Sequence, residues 1–502
     1  MFGALALISA ASVLAGPAPH VATADFTKVD TTVTMSDGVR IAVTDYTPSG
    51  TPPATGWPAV MMFHGLGQTR NSFDISNWSA NRVAETYLVP NGYAVVTFDA
   101  RAHGESGGLF SLDGPRELQD TIELFHWLLA RPNIDPNRIG AFGVSYGGGM
   151  VWLAAVYGVP FAAIAVAATW TDLREALEPQ GLVRAGVVVG FSQSIPQSRY
   201  DPSLLPVVQD ALSERNTPAL QQFFAKRSVR AQLRGFNIPT LLLQGRRDFA
   251  FDADQALSAF KLLTGPKRLY LGNLGHTPAA NPPDELQYYA GEVEHWFDRF
   301  VKRVPSTLGS RSVVLLAEDP WTHNKVHSYV GMPPTRSLTF TFKSSGTLTA
   351  SGKVVRTTAR VPRLETFGAP TVRVSVSSRT GYRHLVAVLS AVRPDGSELV
   401  VTDGGAETST LGRAVRTITL RLPDEITSIP RGSRLRVTLA ATSTAQSLQN
   451  LVYLNSVPEN STAQIKRVTL TLPVLRKPIS PGSRTSRRRP PRSRSRRTRP
   501  PA

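Results

Sequence analysis

A serine, a carboxylate and a histidine occur in this chain in an order that nucleophilic acyl chemistry can use. Ser145 lies in Gly143-Val144-Ser145-Tyr146-Gly147, a G-x-S-x-G pattern. An apolar, strand-like run precedes it and a helix-compatible run, Met150 to Val156, follows. A serine hydroxyl is a weak nucleophile unless it is exposed and held beside a base. A tight strand-to-helix turn would supply the exposure, with Gly143 and Gly147 leaving room for the backbone. The negative charge that develops on an attacked carbonyl needs donors, and the helix N-terminus supplies them. The Tyr146 N–H is the first expected donor, and the Leu66 N–H in His64-Gly65-Leu66-Gly67 is the second.

The acid should end a late strand, and Asp248 closes Leu241-Leu242-Leu243-Gln244-Gly245-Arg246-Arg247-Asp248. Asp252 and Asp254 are the alternatives, the latter better suited to capping the next helix. The base should follow the last strand, where His276 ends Gly272-Asn273-Leu274-Gly275-His276. His295 competes but sits in a helical pattern beside Trp296 and Phe297, which suits packing. His323, His327 and His384 fall in a β-rich region. His64 reads as a structural hydrogen-bonding residue, and Arg101-Ala102-His103-Gly104 as a turn that buttresses its loop. No His/Asp/Glu grouping has metal-ligand spacing and no glycine-rich loop fits a phosphate, so neither a metal nor a cofactor is expected.

The elements that would position these residues alternate along the chain. A hairpin is expected around Ser36-Asp37-Gly38, then buried strands at Pro58–Phe63 and Tyr93–Phe98. Leu118, Ile122, Phe125 and Leu129 recur at helical spacing, and another buried strand covers Ala163–Ala168. Residues 172–236 interrupt the alternation with a helix-rich, proline-punctuated insertion, expected to cap the active-site edge. Strands resume at Ile238–Gln244 and Arg268–Leu271, with helices near Ala253–Leu263 and Asp284–Phe300. This pattern predicts an α/β fold, an α/β-hydrolase core over residues 25–171 and 237–304 with a helical cap between. From 305 to 475 helical periodicity gives way to short alternating runs, which predict a β-sandwich or jelly roll.

Composition sets the remaining bounds. Apolar residues make up 41% and charged residues 18%, as in a globular protein. With no cysteine, disulfides, thiolate metal sites and a cysteine nucleophile are excluded. The net charge of +18 is concentrated, because 11 Lys or Arg and no acidic residue lie between Arg476 and Arg499. Residues 476–502 therefore read as a disordered Arg/Ser/Pro tail, and the rest of the chain carries only +7. That distribution argues against a nucleic-acid groove and for attraction to an anionic cell-envelope surface. Residues 2–15 are small and apolar, and Ala22-Thr23-Ala24 supplies an A-x-A pattern, so residues 1–24 read as a secretory signal. The chain is thus expected to be secreted or envelope-associated. Its expected substrate is a small molecule or short peptide, and self-association is open.

Asp99-Ala100-Arg101-Ala102-His103-Gly104-Glu105-Ser106-Gly107-Gly108 and Gly143-Val144-Ser145-Tyr146-Gly147-Gly148 together resemble the X-Pro dipeptidyl-peptidase (S15) family, with its cocaine-esterase-like and α-amino-acid ester hydrolase members. The resemblance covers roughly residues 30–475. It implies hydrolysis of an ester or amide through an acyl-enzyme, with Ser145 as nucleophile, Asp248 as acid and His276 as base. Two departures bear on substrate. The early loop is His-Gly-Leu-Gly where relatives often place a tyrosine, and Arg247 replaces the usual aromatic residue before the acid. A general carboxylesterase or acyltransferase would use the same three residues, and a non-catalytic envelope-binding protein would need none of them.

Overall fold

A computed structural model describes residues 25–72, 83–276 and 282–480. The expected signal segment and most of the basic tail lie outside these residues. The N-terminal two-thirds of the chain builds one ten-stranded sheet, in the order β1-β2-β4-β3-β5-β6-β7-β8-β9-β10. The hairpin expected around Ser36-Asp37-Gly38 joins β1 (Phe26–Thr34) to β2 (Arg40–Pro48). β3 (Trp57–Phe63), β4 (Ala94–Phe98), β5 (Ile134–Val144), β6 (Ala163–Ala167), β7 (Thr240–Gly245), β8 (Lys267–Gly272) and β9 (Val313–Ala317) run parallel to one another. β2 and β10 (Val326–Val330) flank them antiparallel.

The central strands are short and apolar because helices cover both faces, so side chains on either face are buried. One face packs α1 (Pro115–Leu129), α2 (Tyr146–Val156) and α7 (Ala253–Leu262) through Leu124, Trp152 and Phe260. The other packs α8 (Pro283–Phe300) through Tyr289, Val293, Trp296 and Phe297. Between β6 and β7 the chain leaves the sheet to form α3 (Leu173–Leu177), α4 (Ala185–Ser192), α5 (Leu204–Leu212) and α6 (Pro218–Lys226). These have their own apolar cluster, including Trp170, Val188, Leu220 and Phe224.

Two boundaries differ from the sequence reading. The β-rich region was expected to start at 305, yet β9 and β10 extend the hydrolase sheet beyond β8. Loss of helical periodicity marks where helices stop, not where a new core begins, and Val313-Val314-Leu315-Leu316 is as apolar as any central strand. The second core starts at Thr335 and is a sandwich. One sheet pairs Thr335–Phe342, Gly346–Thr349, Thr371–Ser377 and Arg416–Arg421 around the long strand Thr462–Leu475. The other holds Val354–Arg360, Arg434–Ala440, His384–Val392 and Glu398–Glu407. Residues 476–480, expected to open the tail, belong to the fold instead, because Ile479 and Ser480 are pinned to buried Glu365.

Candidate active site

Parallel strands place their following loops at one edge of the sheet, and three such loops converge there. Ser145 follows β5, Asp248 follows β7 and His276 follows β8, with Gly245 and Gly272 opposite one another in register. A Cβ at Gly245 would strike the Leu274 carbonyl, so glycine is what lets the acid strand approach the histidine loop. At Ser145 the backbone has φ 54° and ψ −118°, outside the ordinary regions for an L-residue. The turn is held open by the Ser145 N–H donating to the Ala167 carbonyl and by Thr169 Oγ1 donating to the Ser145 carbonyl, each at 2.8 Å. Side chains at Gly143 and Gly147 would collide with the Gly147 and Phe63 carbonyls.

The structure brings Ser145, Asp248 and His276 into one relay. His276 Nε2 is 2.9 Å from Ser145 Oγ, and Nδ1 is 2.6 Å from both Asp248 carboxylate oxygens. Asp248 has no exposed surface, and its Oδ1 also accepts the Ala250 and Phe251 N–H groups at 3.0 and 3.1 Å. With the carboxylate on Nδ1, Nε2 is left to face the serine as an acceptor. The rival acids are engaged elsewhere. Asp252 pairs with Arg184 at 3.2 Å, and Asp254 takes two bonds from Arg421 of the sandwich. Of the rival histidines, His295 faces solvent rather than the core, His323 meets Glu318, and His384 is buried against Ala441.

Tyr146 opens α2 and Leu66 lies in the loop after β3. Neither N–H has an acceptor among the described residues, so both remain available to a ligand. His64 fixes that loop, its Nδ1 2.8 Å from the Gly65 carbonyl and its Nε2 accepting the Ala100 N–H at 2.9 Å. The Asp99–Ser106 turn is stapled by Asp99, which accepts from the Glu105 N–H and the Arg70 N–H. His103 within it stacks on the Tyr146 ring at 5.3 Å. Burial holds both histidines neutral, His64 lowered to about 4 and His103 to about 3, where His64 also repels a second charge.

Two neighbours escaped the sequence reading. Phe249 and Phe251 flank the His276 ring at 6.3 and 5.3 Å, supplying after the acid the aromatic surface that Arg247 does not supply before it. Arg247 instead turns to Asp319. The alternation Asp-Phe-Ala-Phe was the available signal. Among the described residues, no group of three His, Asp or Glu is placed to hold a metal ion.

Residues 37–278, which contain Ser145, Asp248 and His276, match the family model for X-Pro dipeptidyl-peptidases of the S15 family. Over these residues the chain is thus similar to the S15 and cocaine-esterase-like hydrolases. Cocaine esterase of a Rhodococcus strain is 34% identical over 168 residues, 32% of this chain and 27% of that protein. Dipeptidyl-peptidase 5 of Porphyromonas gingivalis is 24% identical over 255 residues, 49% of this chain and 34% of that one. The matched segments thus span about a third or less of these relatives' length. In fold the likeness runs further. A CocE/NonD family hydrolase from Staphylococcus aureus superposes with TM-score 0.69 at 16% identity, over 90% of this chain and 94% of that one. An α-amino acid ester hydrolase gives 0.62 at 14%, over 92% and 99%. An α/β-hydrolase fold with a C-terminal all-β region is therefore common to them.

Proposed function

We propose that this protein is a serine hydrolase that cleaves an ester or amide through an acyl-enzyme. The contact that carries the reading is Ser145 Oγ to His276 Nε2 at 2.9 Å, backed by Asp248 on Nδ1. Ser145 Oγ attacks the acyl carbon while its proton passes to His276 Nε2. The carbonyl oxygen, now negative, is received by the Tyr146 and Leu66 N–H groups. His276 then returns the proton to the leaving oxygen or nitrogen, and the acyl group stays on Ser145. Water, deprotonated by the same nitrogen, releases the acid and restores the serine. Buried Asp248 holds the ring in the tautomer that this cycle needs and offsets the charge of the imidazolium.

Labelling by a fluorophosphonate and turnover of an activated ester test the reading together. Ser145→Ala should abolish labelling and lower kcat by on the order of 10⁵–10⁶. Asp248→Asn should cost about 10⁴, because the amide no longer fixes the ring in the productive tautomer or offsets the imidazolium charge. Labelling that persists in the Ser145→Ala protein would assign the nucleophile elsewhere. Damage from Asp252→Asn in place of Asp248→Asn would move the acid.

Export is part of the proposal, supported by the apolar start and the Ala22-Thr23-Ala24 pattern. An N-terminus at Asp25 in protein recovered from the medium or envelope is the expected result, and full-length protein retained in the cytosol overturns it. The basic tail is proposed to hold the exported enzyme to anionic envelope polymers or lipids.

A further inference from the structure

Between the cap and the candidate oxyanion loop lies a cavity of about 50 Å³. Its wall includes Leu66, Leu112, Val188, Phe191, Leu204 and Phe224. Two hydroxyls reach it, and backbone carbonyls already occupy both. Tyr200 donates to the Ser192 carbonyl at 2.5 Å, and Ser192 to the Val189 carbonyl at 2.9 Å. No charged side chain lines the cavity. The space therefore offers a guest dispersion contacts and release from water, and nothing that would pair with a charge.

The cavity adjoins the reacting groups on two sides. Leu66 belongs to both the wall and the loop whose N–H is free to receive the carbonyl oxygen. On the other side the Phe191 ring sits 5.7 Å from Phe251, whose ring is 5.3 Å from His276. A carbonyl held by Tyr146 and Leu66 would direct its acyl substituent into this space. A free dipeptide amine would need a carboxylate there. No carboxylate lines this space, and Glu117 and Asp113, beside Tyr146, are buried, Glu117 accepting from the Ser111 and Gly114 N–H groups.

We propose that this cavity is the acyl site and that the enzyme's substrates are esters of short, uncharged aliphatic acids. The proposal rests on the serine hydrolase reading and narrows it. Attack breaks the ester C–O bond, the alcohol leaves with the proton from His276, and water then yields the free acid. The space is small, about 50 Å³, and lined by apolar side chains, so the acids it suits are short.

The test is a series of p-nitrophenyl esters from acetate to palmitate, alongside glycyl-prolyl-p-nitroanilide, with fluorophosphonate labelling in parallel. We expect kcat/KM to rise about tenfold from acetate to butyrate, from two buried methylenes. It should fall beyond hexanoate, and the anilide should be turned over at least 100-fold more slowly than butyrate. Val188→Phe should lower the butyrate-to-acetate ratio at least tenfold, and Leu204→Ala should move the optimum to longer chains, labelling serving to show that each variant is folded. Labelling with a flat chain-length profile, or with the anilide preferred, overturns the acyl-site proposal while leaving the hydrolase reading intact. Absence of both labelling and turnover in the wild-type chain overturns both.

Discussion

His64 and His103 show how much of the loops beside Ser145 is held by buried histidines bonded to backbone. His64 spends both ring nitrogens on backbone, the Gly65 carbonyl and the Ala100 N–H, and His103 spends Nδ1 on the Arg101 carbonyl. Both are buried, and burial lowers their pKa, to about 4 and about 3, from an unfolded value near 6.5. The unfolded chain therefore takes up protons first as pH falls. Their contribution to stability is complete above about pH 6.5 and is lost progressively toward pH 4. We expect the midpoint of thermal unfolding to fall across that window, and His103→Phe, which keeps the aromatic face on Tyr146, to flatten the slope. An equal slope in that variant would place the sensitivity elsewhere. At this scale the sequence carries unequal information. Ser145, Asp248 and His276 are legible because turn chemistry and chain order constrain them. The contacts of Phe251 with His276 and of His103 with Tyr146 join loops far apart in sequence, and no local pattern encodes them.

Among elements, the helix after Ser145 departs most from local preference. Helix-compatible residues start at Met150, whereas the helix starts at Tyr146 and takes in Gly147, Gly148 and Gly149. Three glycines disfavour a helix by about 1 kcal/mol each relative to alanine, so packing overrides propensity here. The reason is proximity, since side chains at these positions would meet the Phe63 carbonyl, Thr169 and Trp170. Gly291 in α8 is the opposite case, with open space where its Cβ would be. Gly147→Ala should therefore abolish activity or folding, and Gly291→Ala should stabilise by about 0.5–1 kcal/mol in chemical denaturation. Similar behaviour of the two variants would refute the packing account of the elbow. Elements with long apolar or amphipathic runs, such as β3, β7, α1 and α8, are legible to within a few residues of their observed bounds. β9 and β10 are harder to assign, because whether a strand joins a neighbouring sheet depends on pairing partners that its own sequence does not specify.

The two domains of the whole molecule are joined by a polar contact that no sequence pattern announces. Arg246, two residues before Asp248, and Glu365 of the sandwich are both fully buried and meet at 2.5 Å. Burial pushes the Glu365 carboxyl up, but Arg246 and the Ile479 and Ser480 N–H groups outweigh it and leave it below the usual range. Ser480 Oγ also bonds Glu365, at 3.0 Å, and accepts the Asp319 N–H at the same distance. The segment after the last strand therefore completes the interface, and the fold includes the chain as far as Ser480. Nine of the 11 tail cations lie beyond that point. A chain ending at Ser480 should keep the wild-type unfolding midpoint and turnover. It should lose salt-sensitive retention on anionic vesicles, an attraction that screening removes within a few ångströms above roughly 0.3 M salt. A chain ending at Leu475 leaves Glu365 short of three hydrogen bonds and exposes the apolar contact of Ile479. An unsatisfied buried acceptor costs about 1–3 kcal/mol, which in a protein of this size lowers the midpoint by about 1–3 °C. Equal midpoints for the two truncations would remove the segment from the interface, and undiminished vesicle binding by the chain ending at Ser480 would remove the tether.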